Sequence, residues 1–419
     1  MPQQTVDFEQ IRTVLDRGYE NVRNSPWYTD AVYDKFSDAE YQRRWRLTRE
    51  KMARLGLDVL IAGGGPAHWS FGGGMMWLSG HWWEWHAMAV YVVFPREGEP
   101  ILIYGGGGTH AEAVRRMASM EVWGTRGRFM QTAVQRIKDL GLERGTIGLS
   151  VIDPAFGDYL PVNQYHDLRE GLPHARIEFV GDFFHDLVVV KSPEEQERVA
   201  RAGELCADAL RAMAERAAPG VAEYELAAAA GGAMLKGNGR IDFLIIGSTP
   251  MADPNIVFGN PRPSGRKLQK GDIVVMELAA GYYGYTAQIG SPITIGEPTP
   301  EVRRFFDEVI LPGFLEMEKT LRPGKRLSDT YEAGKFFRRK GYQSRPIHLH
   351  GLDFTSHAPF VGTTPPDPDL EWKPGMAVVL EPNPITPDGR LGIFFGHTYI
   401  ITEGAPRRVT PYPLELTVV

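Results

Sequence analysis

Cysteine is nearly missing from this chain of 419 residues, with Cys206 the lone example. A single cysteine cannot close an intramolecular disulfide, which excludes a disulfide-stapled secreted scaffold and makes a reducing compartment the natural setting. Long apolar runs are missing too. None approaches the ~20 residues a helix needs to span a bilayer. The opening MPQQTVDFEQIR has no basic stretch followed by an apolar one, as a secretory leader would have. These absences predict a cytoplasmic protein with no membrane partner. Positive charge is not in excess: 46 Lys and Arg against 52 Asp and Glu give a formal charge of −6. That balance offers no electrostatic footprint for nucleic acid. Repeats and low-complexity tracts are absent as well. What is present, 43% hydrophobic and 23% charged residues, is the mix of a globular protein with a sizeable core and the length for two domains.

Along the chain, residues 1–36 show no clear periodicity and read as an N-terminal extension. Apolar residues at helical spacing (Tyr41, Trp45, Leu47, Met52, Leu55) predict a helix from Asp38 to Leu55, stopped at Gly56. Strand-like runs at 58–62, 89–94, 101–104, 146–150 and 176–180 alternate with helical segments near 110–117 and 128–141. That alternation predicts an α/β domain over 37–187. At 188–213 the texture changes. Ser192 suits an N-cap, Pro193 the first helical position, and Glu195 completes a capping box, so a long helix opens there. The second domain, 188–419, reads as a helix over 223–236, strand-forming residues at 273–287, a helix near 300–322, a His-containing segment at 347–360, and strands at 376–382 and 398–402. Glycine runs at 63–65 and 105–108 are not phosphate loops, because no GK[ST] follows them.

Four ordered segments of the second half carry a resemblance. KGDIVVMELAAGYYGYTAQIGSPITIG (270–296), PIHLHGLDFTSH (346–357), PGMAVVLEP (374–382) and GIFFGHTYIITEG (392–404) resemble the corresponding motifs of the creatinase/prolidase/aminopeptidase P family. The resemblance spans roughly residues 190–410 and is specific because the internal spacings agree. It implies an α/β N-terminal domain followed by an α+β pita-bread domain, a homodimer, and hydrolase chemistry on a small molecule.

Peptidases of that family hold two metal ions with Asp, Asp, His, Glu and Glu. By resemblance those positions are Glu277, Gln288, His350, Glu381 and Gly396. Gln288 carries no charge and Gly396 no side chain, whereas two divalent ions demand carboxylates there. No metal or other cofactor is therefore expected, although one ion on Glu277, His350 and Glu381 is chemically open. Ser356-His357-Ala358 and His397 follow the creatinase variant of the pattern. The resemblance implies that His350, Glu381, His357 and His397 form the catalytic set, since imidazole titrates near neutrality and a carboxylate can orient it. Glu277, Gln288 and Tyr285 are expected to bind substrate. His348, two residues from His350 on one strand, is expected to share its face. The position of creatinase's basic histidine, eleven before Gly271, is Asn260. Asn260 is expected to touch the substrate, and creatine itself is a doubtful one.

The first half holds FGGGMMWLSGHWWEWHAM (71–88), with Trp77, Trp82, Trp83 and Trp85. It reads either as an edge strand or dimer contact, or as an aromatic loop whose Trp83 and Trp85 face a cationic or methylated nitrogen. The leading expectation is a metal-independent hydrolase of a non-peptide C–N bond. The other readings are an Xaa-Pro metallopeptidase, a lyase of the family, and an inactive binding homologue.

Overall fold

Ser37 ends the N-terminal extension: its hydroxyl accepts the Glu40 N–H at 3.2 Å, and Gly56, with φ 68°, closes the helix so begun. The computed structural model describes residues 9, 23–30, 32–64, 73–82, 90–105, 109–125, 127–150, 160–352 and 358–419. Among them the chain divides into two compact units, one ending at Val188 and the other beginning at Val189.

The first unit runs α1 (Asp38–Leu55), β1 (Val59–Gly64), α2 (Gly73–Ser79), β2 (Val90–Pro95), β3 (Ile101–Tyr104), α3 (Thr109–Met117), β4 (Glu121–Gly124), α4 (Phe129–Asp139), β5 (Thr146–Ser150), α5 (Val162–Gly171) and β6 (Arg176–Phe179). Its six-stranded sheet has the order β4-β3-β2-β1-β5-β6. The β1–β2 and β2–β3 pairs are antiparallel, and the other three are parallel. Central strands are apolar along their length because the sheet is covered: Val59, Ile61, Val93 and Ile103 pack with Met130 and Ile137 of α4. The Trp-rich segment departs from expectation. Residues 73–79 form a helix whose every residue is buried, with Trp77 against Phe184 rather than in a loop. Gly74 permits this, since a Cβ there would lie 2.1 Å from the Phe184 ring. Trp83 and Trp85 lie outside the described residues.

The second unit opens with α6 (Pro193–Arg216), started by the Ser192–Glu195 capping box, and α7 (Glu223–Lys236). β7 (Arg240–Pro250), β8 (Asp272–Tyr282), β9 (Tyr285–Gly290) and β10 (Ile293–Thr294) follow. Next come α8 (Pro300–Phe305), a π-helical turn at Phe306–Ile310, α9 (Leu311–Glu318) and α10 (Leu327–Gly334), where sequence spacing predicts one helix over 300–322. The remaining strands are β11 (Gln343–Ser344), β12 (Ile347–Gly351), β13 (Phe360–Gly362), β14 (Ala377–Leu380), β15 (Pro384–Ile385), β16 (Gly396–Ile400), β17 (Arg407–Arg408) and β18 (Thr417–Val418). The main sheet runs β13-β12-β14-β16-β9-β8-β10-β18, with β7 beside β8 and β17 beside β16.

Helices cover one face of this sheet. Leu205 and Leu210 of α6 pack on Met276, Leu278 and Ile289, while Phe314 and Met317 of α9 share a cluster with Leu349, Leu380 and Tyr399. Side chains of alternate parity therefore emerge on the other face, and that is where the polar residues gather.

Candidate active site

The β8–β9 hairpin sets the register on which the site depends. Tyr282 pairs with Tyr285, and the two residues between them, Tyr283 and Gly284, both have positive φ (45° and 86°). That is the geometry of a two-residue primed turn, whose twist suits the flanking strands. In this register Ala279 faces Gln288, so Glu277 and Gln288 share the uncovered face. Across the sheet His350 pairs with Val379, and Val379 with Thr398. Thr398 Oγ1 accepts the Gln288 N–H at 2.9 Å and donates to the Gln288 carbonyl at 2.8 Å, tying β16 to β9. Glu381 leaves β14 with its N–H on the His348 carbonyl (2.8 Å).

Glu277, Gln288, His350 and Glu381 thus meet, all buried, at 6%, 0%, 1% and 5% exposure. His350 Nε2 stands 3.4 Å from Glu381 Oε1. Its Nδ1 is 2.8 Å from the Gly351 carbonyl, which can only accept, so the Nδ1 proton is fixed and Nε2 is presented to the carboxyl group. With its NH2 turned to the acids, Gln288 donates to Glu381 Oε2 (3.3 Å) and Glu277 Oε1 (3.1 Å). Burial pushes Glu277 above the usual carboxylate range; the Arg345 guanidinium opposes that rise and Asp242 adds to it. Burial raises Glu381 too, helped by the charge of Glu277 and again opposed by Arg345. Two buried carboxyls this close favour sharing a proton, which gives the pair acid and base character near neutrality.

The residues do not fit a two-ion centre. A Cβ on Gly290 would lie 2.1 Å from the Phe394 ring, and one on Gly396 would lie 2.7 Å from that ring and 3.1 Å from Glu381 Cβ. Phe394 thus lies across both glycines and fills the space a carboxylate at 396 would use. The Gln288 amide donates to the carboxylate oxygens that would otherwise face an ion. Among the described residues no three His, Cys, Asp or Glu side chains come together closely enough to hold one.

Four sequence expectations need correction. His397 faces the helix-covered side: it pairs with Leu380, stacks edge-on to Phe314 and Phe395, and its Nδ1 meets Thr410 Oγ1 at 2.9 Å. Its neighbour Gly396 takes the site face, and the pleat sends adjacent residues opposite ways. His348 does not share the His350 face, because the β12–β13 register shifts between Ile347 and Leu349. Its ring instead meets Phe337, and its Nε2 contacts Ser344 Oγ. Tyr285, of opposite parity to Gln288, turns to α6 and donates to Glu195 Oε1 at 2.9 Å. Asn260 is exposed, and its Oδ1 accepts the Arg262 N–H (2.9 Å) in a local turn contact. His357 lies outside the described residues.

The sequence patterns did not single out four residues that stand at the site. Arg345 lies 3.6 Å over the Phe258 ring, and Phe258 meets Phe394 edge-on at 5.8 Å between centroids. Asp242, at the bulge between Ile241 and Phe243, accepts from Thr286 Oγ1 (3.1 Å), and burial pushes it up to about 6. The one available signal is the placement of Arg345, a cation immediately upstream of the His-containing strand.

The helix-backed sheet with a buried acid–imidazole cluster on its open face defines a hydrolase of the pita-bread class. Among solved structures, the Xaa-Pro dipeptidase of Bacillus anthracis has the same fold, with a TM-score of 0.74 over 90% of this chain and 100% of that one, at 20% identity. Residues 197–403 match metallopeptidase family M24. The Xaa-Pro dipeptidase of Pyrococcus furiosus is 28% identical over 246 residues, 57% of this chain and 67% of the relative. The ectoine hydrolase of Halomonas elongata is 23% identical over 408 residues, 91% and 98% of the two chains. Among the described residues no helix is long and apolar enough to cross a membrane.

Proposed function

We propose that the chain hydrolyses a non-peptide C–N bond in a small polar metabolite without a metal ion, as a cytoplasmic homodimer. The observation that carries this reading is the Gln288 amide spanning the two carboxyl groups while Phe394 closes over Gly396. The His350–Glu381 pair takes a proton from water as its oxygen bonds to the substrate carbon. The C–N bond breaks, and the departing nitrogen takes the proton held by Glu277. Arg345, beside the pair, receives the negatively charged end of the substrate, so a zwitterion suits the site better than a simple cation. The ectoine hydrolase supports this reading, because its likeness runs over nearly the whole of both chains.

A second reading, cleavage of Xaa-Pro dipeptides, is favoured by the 28% identity to the Pyrococcus dipeptidase. Elemental analysis of the purified protein separates the two when combined with turnover of small amides, amidines, guanidines and Xaa-Pro dipeptides, with and without chelator. The proposal expects well under one ion per chain and chelator-insensitive cleavage of a non-peptide substrate. Two tightly held ions and chelator-sensitive dipeptide cleavage would establish the peptidase reading instead.

A further inference from the structure

The helix-covered side of the second unit contains a cavity of about 640 Å³, apart from the catalytic carboxyl groups. That volume falls in the range of small-molecule sites. Its floor includes His348, Phe337 and Gly334. His348 is only 4% exposed, and its Nδ1 has no hydrogen-bond partner, an expensive choice where an apolar side chain would fill the space. Gly334 keeps room for the imidazole, since a Cβ there would be 2.7 Å from Nδ1. Tyr331 and Tyr342 line the cavity, and Tyr342 is held flat by stacking on Phe305 (4.9 Å, 9°).

The mouth is cationic, with Lys335, Arg338 and Arg339 all lining it. Lys335 is paired with Glu332, and Arg339 reaches the Glu332 carbonyl at 3.4 Å. Arg338 makes no ion pair among the described residues and stands at the rim. Aromatic walls suit a flat apolar body, and an unpaired guanidinium at the opening suits a planar anion that it can grip with two N–H donors. We propose that this cavity binds a small aromatic carboxylate, with the ring against Phe337 and Tyr331 and the carboxylate on Arg338. The inference is independent of which bond the carboxyl pair cleaves.

Titration calorimetry with benzoate, and with benzamide as its neutral counterpart, tests it on the full chain. Benzoate should bind, benzamide should bind about tenfold more weakly or worse, and Arg338→Glu, which removes both donors and adds a like charge, should weaken benzoate by about tenfold or more. Thr363→Trp, at the cavity edge, should weaken both ligands, and Arg345→Gln should weaken neither. Melting curves confirm that each variant is folded. Equal affinity for the two ligands, no heat at about ten millimolar benzoate, or binding kept in Arg338→Glu but lost in Arg345→Gln would overturn the proposal.

Discussion

The two faces of the second unit's sheet carry similar side chains in different circumstances. On the uncovered face His350 stands 3.4 Å from Glu381, and the Gln288 amide joins Glu381 to Glu277, so an imidazole and two carboxyl groups that can exchange protons lie together. On the helix-covered face His397 sits between Phe314 and Phe395, with a threonine hydroxyl at Nδ1 and nothing on Nε2. Burial alone pushes His348 down to about 4. For His397 burial is the main cause of a fall to about 3, assisted by Arg408. Both rings are thus neutral at working pH. The difference shows that a histidine next to a ligand position in sequence is not thereby next to it in space. One residue of pleat separates an acid–base group from a core-filling one.

The comparison breaks first at its chemical end. His350→Ala and Glu381→Gln are each expected to lower turnover by about 10²-fold or more, while both proteins melt cooperatively. His397→Phe is expected to keep near-normal turnover. If His397→Phe is as inactive as His350→Ala, the assignment of the two faces is wrong.

A smaller effect concerns the space under Phe394. Gly396→Glu should destabilise the chain by about 1–3 kcal/mol through overpacking against that ring. Adding Phe394→Ala should recover much of the loss, and a double-mutant cycle in urea measures the coupling. Additive losses would mean that Phe394 does not occupy the position.

The faces also respond to pH in opposite senses. Glu277 and Glu381, raised above their ordinary 4.5, keep protons in the folded chain that the unfolded chain releases. Their contribution is complete below 4.5 and is lost as pH rises through the folded values. His348 and His397, lowered from 6.5, contribute fully above 6.5 and lose it as pH falls toward 4 and 3. Urea midpoints across pH should therefore show Glu277→Gln flattening the decline toward alkaline pH and His397→Phe flattening the acid one. Interchange of these two slopes would contradict the burial argument.

The smallest expected change is at Tyr285. Tyr285→Phe removes one hydrogen bond to Glu195 and should cost about 1 kcal/mol of stability with kcat/KM nearly unchanged. A kcat/KM loss comparable to that of His350→Ala would return Tyr285 to the substrate pocket.

Much of the architecture is legible in the chain. The Ser192–Glu195 capping box and the Gly56 stop are local signals, each resting on the conformational preference of a few residues, and each stands where its pattern places it. Glu277, Gln288, His350 and Glu381 are legible through the family resemblance of the segments that carry them, and the strand register brings them onto one face. Residues 73–79 are not legible as a helix, because an apolar, glycine-rich run has no helical periodicity and is held by Phe184 and Trp77 packing. The π-turn that divides the helices at 300–318 is marked only by Pro312, which has no N–H to donate at the start of the following helix.

By itself, then, the sequence determined most of the order of strands and helices and, through its resemblance to a known family, pointed to two acids, an imidazole and the uncharged positions 288 and 396. The first follows from residue type and spacing along the chain, and the second from the match of four ordered segments to the family's motifs. The tertiary structure decided which way each side chain points and what lies over the gaps. A register shift in β12 sends His348 away from His350. Phe394 lies just before β16, and its ring reaches both Gly396 on its own segment and Gly290 on β9. No local pattern can announce that second contact, because it exists only where close packing brings residues distant in sequence into van der Waals reach.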